Sequence, residues 1–174
     1  LVLQNGTLVY EAYHNGADSS TATHLFSGTK GFWALMAAHA KEVGLLTEYD
    51  EPVYQTITEW GDNTVHPGKK LITLRHFSEL TSGLFHDVDQ IQGLGAQAPD
   101  IYQYVVDSLR LVSIPGNQFR YGPSHYYVFG EWLERKLSAA NIDMNPLQYL
   151  DSILFQPIGF TYTDWAQDAA GNPH

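Results

Sequence analysis

Hydrophobic and polar residues alternate, in part, only near the start of the chain. Residues 1–3 and 7–13 carry this pattern, and the dipeptide Asn5-Gly6 lies between them. Asn-Gly is the pair most typical of a two-residue turn between antiparallel strands. The pattern therefore predicts a β-hairpin at the start of the chain, and no later segment carries a comparable strand signal.

Apolar residues with helical spacing dominate the rest of the chain. The first predicted helix runs from Ser27 to Val43, and Gly44 follows it as the residue type that favours a left-handed helix end. Further helices are predicted over residues 73–80, 100–111, 124–137 and 146–155, with Thr73 and Ser124 as caps and a polar loop over residues 85–99.

Composition and charge narrow the possible functions. The chain has 174 residues, of which 44% are hydrophobic and 16% charged, so it is long enough for one sizeable core. Its net charge of −10 argues against nucleic acid and anionic membrane surfaces as partners. Without cysteine there can be no disulfide, thiolate zinc site or cysteine nucleophile. No stretch approaches the length of a membrane span, about 18 apolar residues. The chain does not start with a basic region followed by an apolar run. These observations do not determine the cellular compartment.

A serine and a lysine lie three residues apart at the start of the first predicted helix. This spacing places Ser27 and Lys30 on one helix face, where free backbone N–H groups could hold an oxyanion. Lys30 could take the hydroxyl proton if its surroundings lowered its pKa, and Phe26, Phe32 and Trp33 would supply dry surroundings. The alternative is a serine N-cap beside a solvated lysine.

Other chemistries find less support in the sequence. The histidines show no metal-ligand spacing and no His-Glu-x-x-His occurs; they lie at positions 14, 24, 39, 66, 76, 86, 125 and 174. Residues 122–126 are similar to a nucleophile elbow, but the last glycine is missing, and Ser124 is better explained as a helix cap. No glycine-rich phosphate loop follows a strand, so we expect neither a metal nor a cofactor.

Five patterns occur in order along nearly the whole chain. They are Phe-Ser-Gly-Thr-Lys at 26–30, Ile-Thr-Leu-Arg-His-Phe at 72–77 running to Thr-Ser-Gly-Leu at 81–84, Pro-Gly at 115–116, Tyr121, and Pro-Ile-Gly-Phe-Thr-Tyr-Thr at 157–163. In this respect the chain resembles the serine β-lactamase and DD-peptidase (penicillin-binding-protein-like) superfamily. The resemblance is to the branch of class C β-lactamases, D-alanyl-D-alanine carboxypeptidases and related bacterial esterases.

The resemblance implies an α/β (α+β) fold in which an antiparallel sheet with flanking helices packs on a helical lobe. The active site of the family lies in the groove between them. Residues 1–25 would be the N-terminal hairpin of the sheet region and residues 26–174 the mainly helical lobe. Because the C-terminal sheet strands are missing here, we expect one incomplete catalytic domain, completed by residues beyond His174 or by another chain.

The resemblance also assigns three catalytic residues. Ser27 maps to the nucleophile, Lys30 to the lysine of the same motif, and Tyr121 to the tyrosine that assists proton transfer. A tyrosine on a loop before a helix can lean into a cleft, and a lysine cation makes its phenolate more accessible. The alternative for Tyr121 is a tyrosine that packs on a surface, one of eleven in the chain.

Two departures from the family pattern bear on the substrate. Pro123 occupies the position of the asparagine that helps to hold the amide of a β-lactam or peptide, and its ring has no side-chain donor. No Lys-Thr-Gly follows the tyrosine, although the strand that carries this third motif normally lends the second oxyanion N–H. The first departure favours an esterase or another acyl-transfer enzyme, and the second puts the completeness of the site in question.

Two hypotheses on function follow from these observations. The first is a serine hydrolase that acts through an acyl-enzyme on small ester, or amide, substrates, with a β-lactamase or D-alanyl-D-alanine carboxypeptidase as the alternative within this class. The second is a non-catalytic member of the superfamily, or a remnant of one, that keeps the groove for binding a peptide or small ligand. A reagent that labels only an activated serine would distinguish the two hypotheses, because a pure binding protein would remain unmodified.

Overall fold

The computed structural model of the protein describes residues 1–85 and 97–174, and most of its regular structure is helical. The elements in chain order are β1 (Val2–Gln4), β2 (Thr7–Tyr10), α1 (Lys30–Glu42), α2 (Leu74–Ser78), α3 (Ile101–Ser108), α4 (Ser124–Ala139), α5 (Pro146–Leu150) and α6 (Gln156–Ile158). Short 3₁₀ turns lie at Phe26–Thr29, Val53–Gln55, Thr58–Gly61 and Lys69–Leu71. Residues 86–96 of the predicted polar loop lie outside the described residues.

The predicted hairpin is confirmed. β1 and β2 pair antiparallel, with Leu3 opposite Leu8 and an irregularity in the register between Val2 and Leu3. Asn5 and Gly6 both have positive φ, 50° and 77°, as the tight turn between two twisted strands requires. The second strand is shorter than the predicted segment, and every residue of both strands is exposed.

Helix α1 occupies the predicted place but begins differently. Its first predicted turn is the 3₁₀ turn Phe26–Thr29, and the α-helix itself starts at Lys30. Gly44 follows the C-cap with a φ of 80°, which confirms its predicted role at the helix end. One face of α1 is buried at helical spacing, through Trp33, Met36, Ala37 and Ala40.

Helix α4 is the centre of the core and packs against α1, α2, α3 and α5. Trp132 and Leu133 on this helix are completely buried. At Gly130 a Cβ atom would lie 2.2 Å from the ring of Tyr102 on α3, so only glycine allows these two helices to approach so closely. Deleting large buried side chains from such a core costs about 2–5 kcal/mol.

The helix starts use local hydrogen bonds, although not always those expected. Thr73 is the predicted cap of α2, and its backbone N–H donates to His76 Nδ1 at 3.1 Å. The prediction that Ser124 caps α4 is wrong, because the N-cap residue is Pro123. The buried Ser124 hydroxyl instead donates to the carbonyl of Phe85 at 3.0 Å, so it ties α4 to a neighbouring segment.

The helix predicted over residues 146–155 is regular only in its first part. Asn145 caps α5 by accepting a hydrogen bond from the backbone N–H of Gln148 at 2.9 Å. A π-helical turn, Asp151–Phe155, then leads into the short α6, which ends at Gly159 with a φ of 67°. In the described ranges, no helix combines the length and the apolar character that crossing a bilayer would take.

Candidate active site

The tight turn before α1 presents Ser27 to solvent. Phe26, the residue before it, has a φ of 46°, a left-handed conformation that is unfavourable for a residue other than glycine. Two hydrogen bonds hold the turn. Thr29 Oγ1 donates to the Phe26 carbonyl at 2.9 Å, and the Gly28 N–H donates to the Leu25 carbonyl at 2.9 Å. A strained, well-held backbone therefore lies directly before the candidate nucleophile.

Lys30 is the first residue of α1 and contacts Ser27 directly. Its Nζ donates a hydrogen bond to Ser27 Oγ at 3.1 Å, as the three-residue spacing predicts. The exposed serine and the partly buried lysine thus share one side of the helix start. A proton could pass between these two atoms without any movement of the backbone.

Tyr121 completes the cluster from a distant part of the sequence. Its hydroxyl donates to Ser27 Oγ at 2.6 Å, although the two residues are 94 positions apart. Two backbone contacts of Arg120 hold the segment before α4 in place. Its N–H donates to the Leu80 carbonyl at 2.8 Å, and its carbonyl lies 2.9 Å from Nε2 of the buried His125. Tyr121 therefore reaches the serine from an anchored segment.

The electrostatics of the cluster favour ionisation of Tyr121. The hydrogen bond with Ser27 lowers the pKa of the Tyr121 phenol, partial burial opposes this shift, and the charge of Lys30 lowers the pKa further. Lys30 Nζ lies 5.4 Å from the ring centre of Tyr121 and 5.4 Å from that of Tyr126. The pKa of Tyr126 is raised, by burial and by the proximity of Tyr121. The two tyrosines beside the lysine thus differ in acidity.

The predicted dry surroundings of Ser27 form only in part. Trp33 is buried and lines a shallow cleft of about 40 Å³ together with Lys30 and Tyr126. The prediction is wrong for Phe26, which is 79% exposed because its turn points outward. Phe32 packs on Phe155, with ring centres 4.9 Å apart, and so belongs to a different surface of α1.

The sequence did not single out Tyr126, which the structure places beside Lys30. Its only signal is its position five residues after Tyr121, in the first turns of a strong helix. Pro123, which replaces the expected asparagine, is the buried N-cap residue of α4 and offers no side-chain donor. Among the described residues, no His, Asp and Glu side chains cluster as a metal ion would require.

Comparisons with known proteins bear on the family and the fold of the chain. A family model described as Beta-lactamase matches residues 1–174. The octameric penicillin-binding protein homologue from Pyrococcus abyssi is similar in structure, with 21% identity, a TM-score of 0.62, and coverage of 80% of this chain and 32% of that one. A Bacteroides dorei protein assigned as a beta-lactamase is similar with 23% identity, a TM-score of 0.56, and coverage of 83% and 44%.

This chain therefore spans less than half of the length of either solved structure. No curated protein matches it. The family match and the two structures confirm the predicted α/β fold of the β-lactamase and penicillin-binding-protein type, with helices and a small antiparallel sheet. The chain belongs to the beta-lactamase family.

Proposed function

We propose that the protein is a serine hydrolase that acts through an acyl-enzyme, with Ser27, Lys30 and Tyr121 as its catalytic residues. The observation that carries this proposal is the convergence of two proton-transfer groups on one serine oxygen. Lys30 Nζ lies 3.1 Å and Tyr121 Oη 2.6 Å from Ser27 Oγ. A nucleophile within hydrogen-bond reach of its base is the arrangement that covalent catalysis needs.

The chemistry follows from these contacts. Ser27 Oγ attacks the carbonyl carbon of the substrate and loses its proton to the pair formed by Tyr121 and Lys30. The lowered pKa of Tyr121 supports its role in this step. The pair then returns the proton to the leaving-group oxygen as the carbon–oxygen bond breaks, which leaves an acyl-serine. A water molecule, deprotonated by the same pair, hydrolyses this acyl group and restores Ser27.

The oxyanion formed during attack needs donors that the described cluster supplies only in part. By resemblance to the family, the N–H at the Ser27 turn is one donor and the strand of the third motif supplies the other. The absence of one such donor costs about 10²–10³ in kcat. We therefore expect full activity to require a second oxyanion donor beside the Ser27 turn.

We further propose the class C-like branch of the family and esters rather than β-lactams or peptides as substrates. The support is Pro123, whose ring offers no hydrogen bond where the resemblance expects an amide-holding asparagine. We expect short-chain aryl esters to be hydrolysed with a far higher kcat/KM than penicillins or cephalosporins. Efficient hydrolysis of nitrocefin would contradict this preference and favour a β-lactamase.

A second candidate function is a non-catalytic member of the family that binds a peptide or small ligand. Its support is that no Lys-Thr-Gly follows Tyr121 in the sequence, whereas in the family the strand with this motif lends an oxyanion N–H. The two candidates differ in one property, the reactivity of Ser27. A pure binding protein would leave this serine unmodified by an acylating or phosphonylating reagent.

Labelling with a fluorophosphonate, followed by mass spectrometry of the peptides, tests the proposal. We expect one label on Ser27, no label in Ser27→Ala, and an unchanged fold in that variant, because Ser27 is exposed and is not the N-cap of the turn or of α1. The control is Ser124→Ala, which removes a buried hydroxyl bonded to Phe85 and should label normally. A label on Ser124, or on no serine, would contradict the assignment.

A further inference from the structure

A larger cavity lies at the end of α3, formed by a set of residues that does not overlap with the cleft beside Lys30. It measures about 270 Å³. Its lining comes from the segment before the 3₁₀ turn at Lys69 and from the residues that follow α3: Val65, His66, Pro67, Lys69, Asp107, Ser108, Leu109, Arg110 and Leu111. Apolar and charged side chains are both present, which is typical of a site that orients a small ligand.

Lys69 is the unusual residue of this cavity. It is only 2% exposed, and its Nζ donates to the carbonyl of Val106 at 2.7 Å. The same carbonyl also accepts the indole N–H of Trp60 at 3.0 Å, and Lys69 Nζ lies 4.9 Å from the centre of the Trp60 ring. Among the described residues, one carbonyl and one aromatic face are the contacts of this buried ammonium group, which has three donor hydrogens.

Within residues 1–85 and 97–174, no carboxylate oxygen lies within 4.0 Å of Lys69 Nζ. Lysines are rarely this buried without a charge partner, because removing the ammonium from water is costly. Burial accordingly lowers the pKa of Lys69 to about 8, and Asp107 only partly opposes this shift. Burial and the charge of Lys69 also lower the pKa of His66 on the same cavity. Lys69 and Arg110 line the cavity with one carboxylate, Asp107, so its described lining carries more positive than negative charge.

We propose that this cavity binds a small aliphatic monocarboxylate, with Lys69 as the residue that holds the carboxylate. The unused donors of the Lys69 ammonium would complete its hydrogen bonds and supply the missing counter-charge. Val65, Pro67 and the two leucines of the lining would contact the hydrocarbon tail. This site does not depend on the proposed hydrolase activity.

The lining also argues for one negative charge rather than two. Arg110 adds a second cation, but Asp107 places a carboxylate on the same cavity. The Asp107 carboxylate accepts a hydrogen bond from Gln103 Nε2 at 2.9 Å, which holds it in place. Asp107 would repel a phosphate dianion more strongly than a monocarboxylate. A phosphate would also leave the apolar side chains of the cavity without a hydrocarbon group to contact. The cavity thus favours a short fatty acid over inorganic phosphate.

Titration of the protein with sodium butyrate, at constant ionic strength, tests the site by calorimetry. We expect saturable binding that Lys69→Met weakens by roughly tenfold or more, since a charged hydrogen bond is lost. The matched control is Lys70→Met, because Lys70 is exposed and its Nζ lies over the ring of Tyr54 at 5.0 Å. This control should change butyrate affinity less than twofold, as expected for an exposed charge. Asp107→Asn should tighten binding by roughly two- to fivefold, because a like charge is removed.

A second measurement does not depend on the stability of any variant. The titration of Lys69 can be followed by NMR on protein labelled at the lysine side chains, with and without saturating butyrate. Bound carboxylate should raise the pKa of Lys69. Absence of saturable butyrate binding, an unchanged Lys69 titration, equal effects of Lys69→Met and Lys70→Met, or tighter binding of inorganic phosphate than of butyrate would each overturn the proposal.

Discussion

The N-terminal hairpin and helix α4 both contain many apolar residues, but those of the hairpin are exposed and most of those of α4 are buried. Every residue of β1 and β2 is exposed, including Leu3 at 69% and Leu8 at 47%. In α4, by contrast, nine of 16 residues are buried, and Trp132 and Leu133 are completely enclosed. Both segments are apolar in sequence, so the difference lies in what surrounds them. The hairpin is held by its turn and ladder, whereas α4 is held by packing.

The exposed hairpin has a further consequence. A two-stranded hairpin is marginally stable in water, and its free edges can pair with other strands. The chain covers only 32% and 44% of the two similar solved structures. We propose that another strand pairs with a free edge of this hairpin.

The candidate active site joins these two regions. Ser27 lies in the exposed turn that follows the N-terminal segment, while Tyr121 is anchored directly before α4. Lys30, at the start of α1, contacts the serine and faces the tyrosine ring. The geometry of this candidate site therefore depends on the packed core more than on the hairpin, and the following predictions test this difference.

Removing the proton-transfer groups should have the largest effect. We expect Tyr121→Phe and Lys30→Ala each to lower kcat for an aryl ester by more than tenfold, because general acid–base groups contribute about 10²–10⁴-fold. Lys30→Arg should not restore activity, since arginine does not release its proton near neutral pH. Tyr10→Phe, on the exposed strand β2, is the control and should leave kcat unchanged. Near-normal turnover in Tyr121→Phe would exclude this tyrosine from the mechanism.

Core and hairpin leucines should differ strongly in their contribution to stability. Leu133→Ala removes a completely buried side chain from α4 and should lower the free energy of unfolding by about 2–5 kcal/mol. Leu8→Ala, on the exposed hairpin, should change it by less than about 0.5 kcal/mol. Urea denaturation followed by circular dichroism measures both values. Equal losses in the two variants would mean that the hairpin packs on a surface in solution.

The buried His125 of α4 should make stability depend on pH. Burial lowers its pKa from the usual 6.5 to about 4, so below pH 6.5 the unfolded chain binds a proton that the folded protein excludes. The contribution of His125 to stability should therefore fall as the pH drops from about 6.5 to about 4 and then level off. His125→Gln should flatten this part of the profile of unfolding free energy against pH. The matched control is His14→Gln, in the exposed N-terminal segment, which should leave the profile unchanged. An unchanged profile in His125→Gln would contradict the prediction.

Local sequence determined the features that depend on a few consecutive residues. Asn5-Gly6 specified the hairpin turn, Gly44 specified the end of α1, and the spacing of Ser27 and Lys30 placed both on one side of a helix start. Each of these follows from backbone geometry over one turn. Prediction from sequence was wrong where a side chain has more than one possible hydrogen-bond partner. The Ser124 hydroxyl donates to a distant carbonyl instead of capping its own helix.

Tertiary structure alone decided the contacts between distant segments. Motif resemblance suggested Tyr121, but only the packing of the segment before α4 brings its hydroxyl to 2.6 Å from Ser27. The position of Tyr126 beside Lys30 has only a weak signal in the sequence, and the enclosure of Lys69 against Trp60 has none. The physical reason is that burial and proximity across many residues are properties of the whole packed core, which no short stretch of the chain encodes by itself.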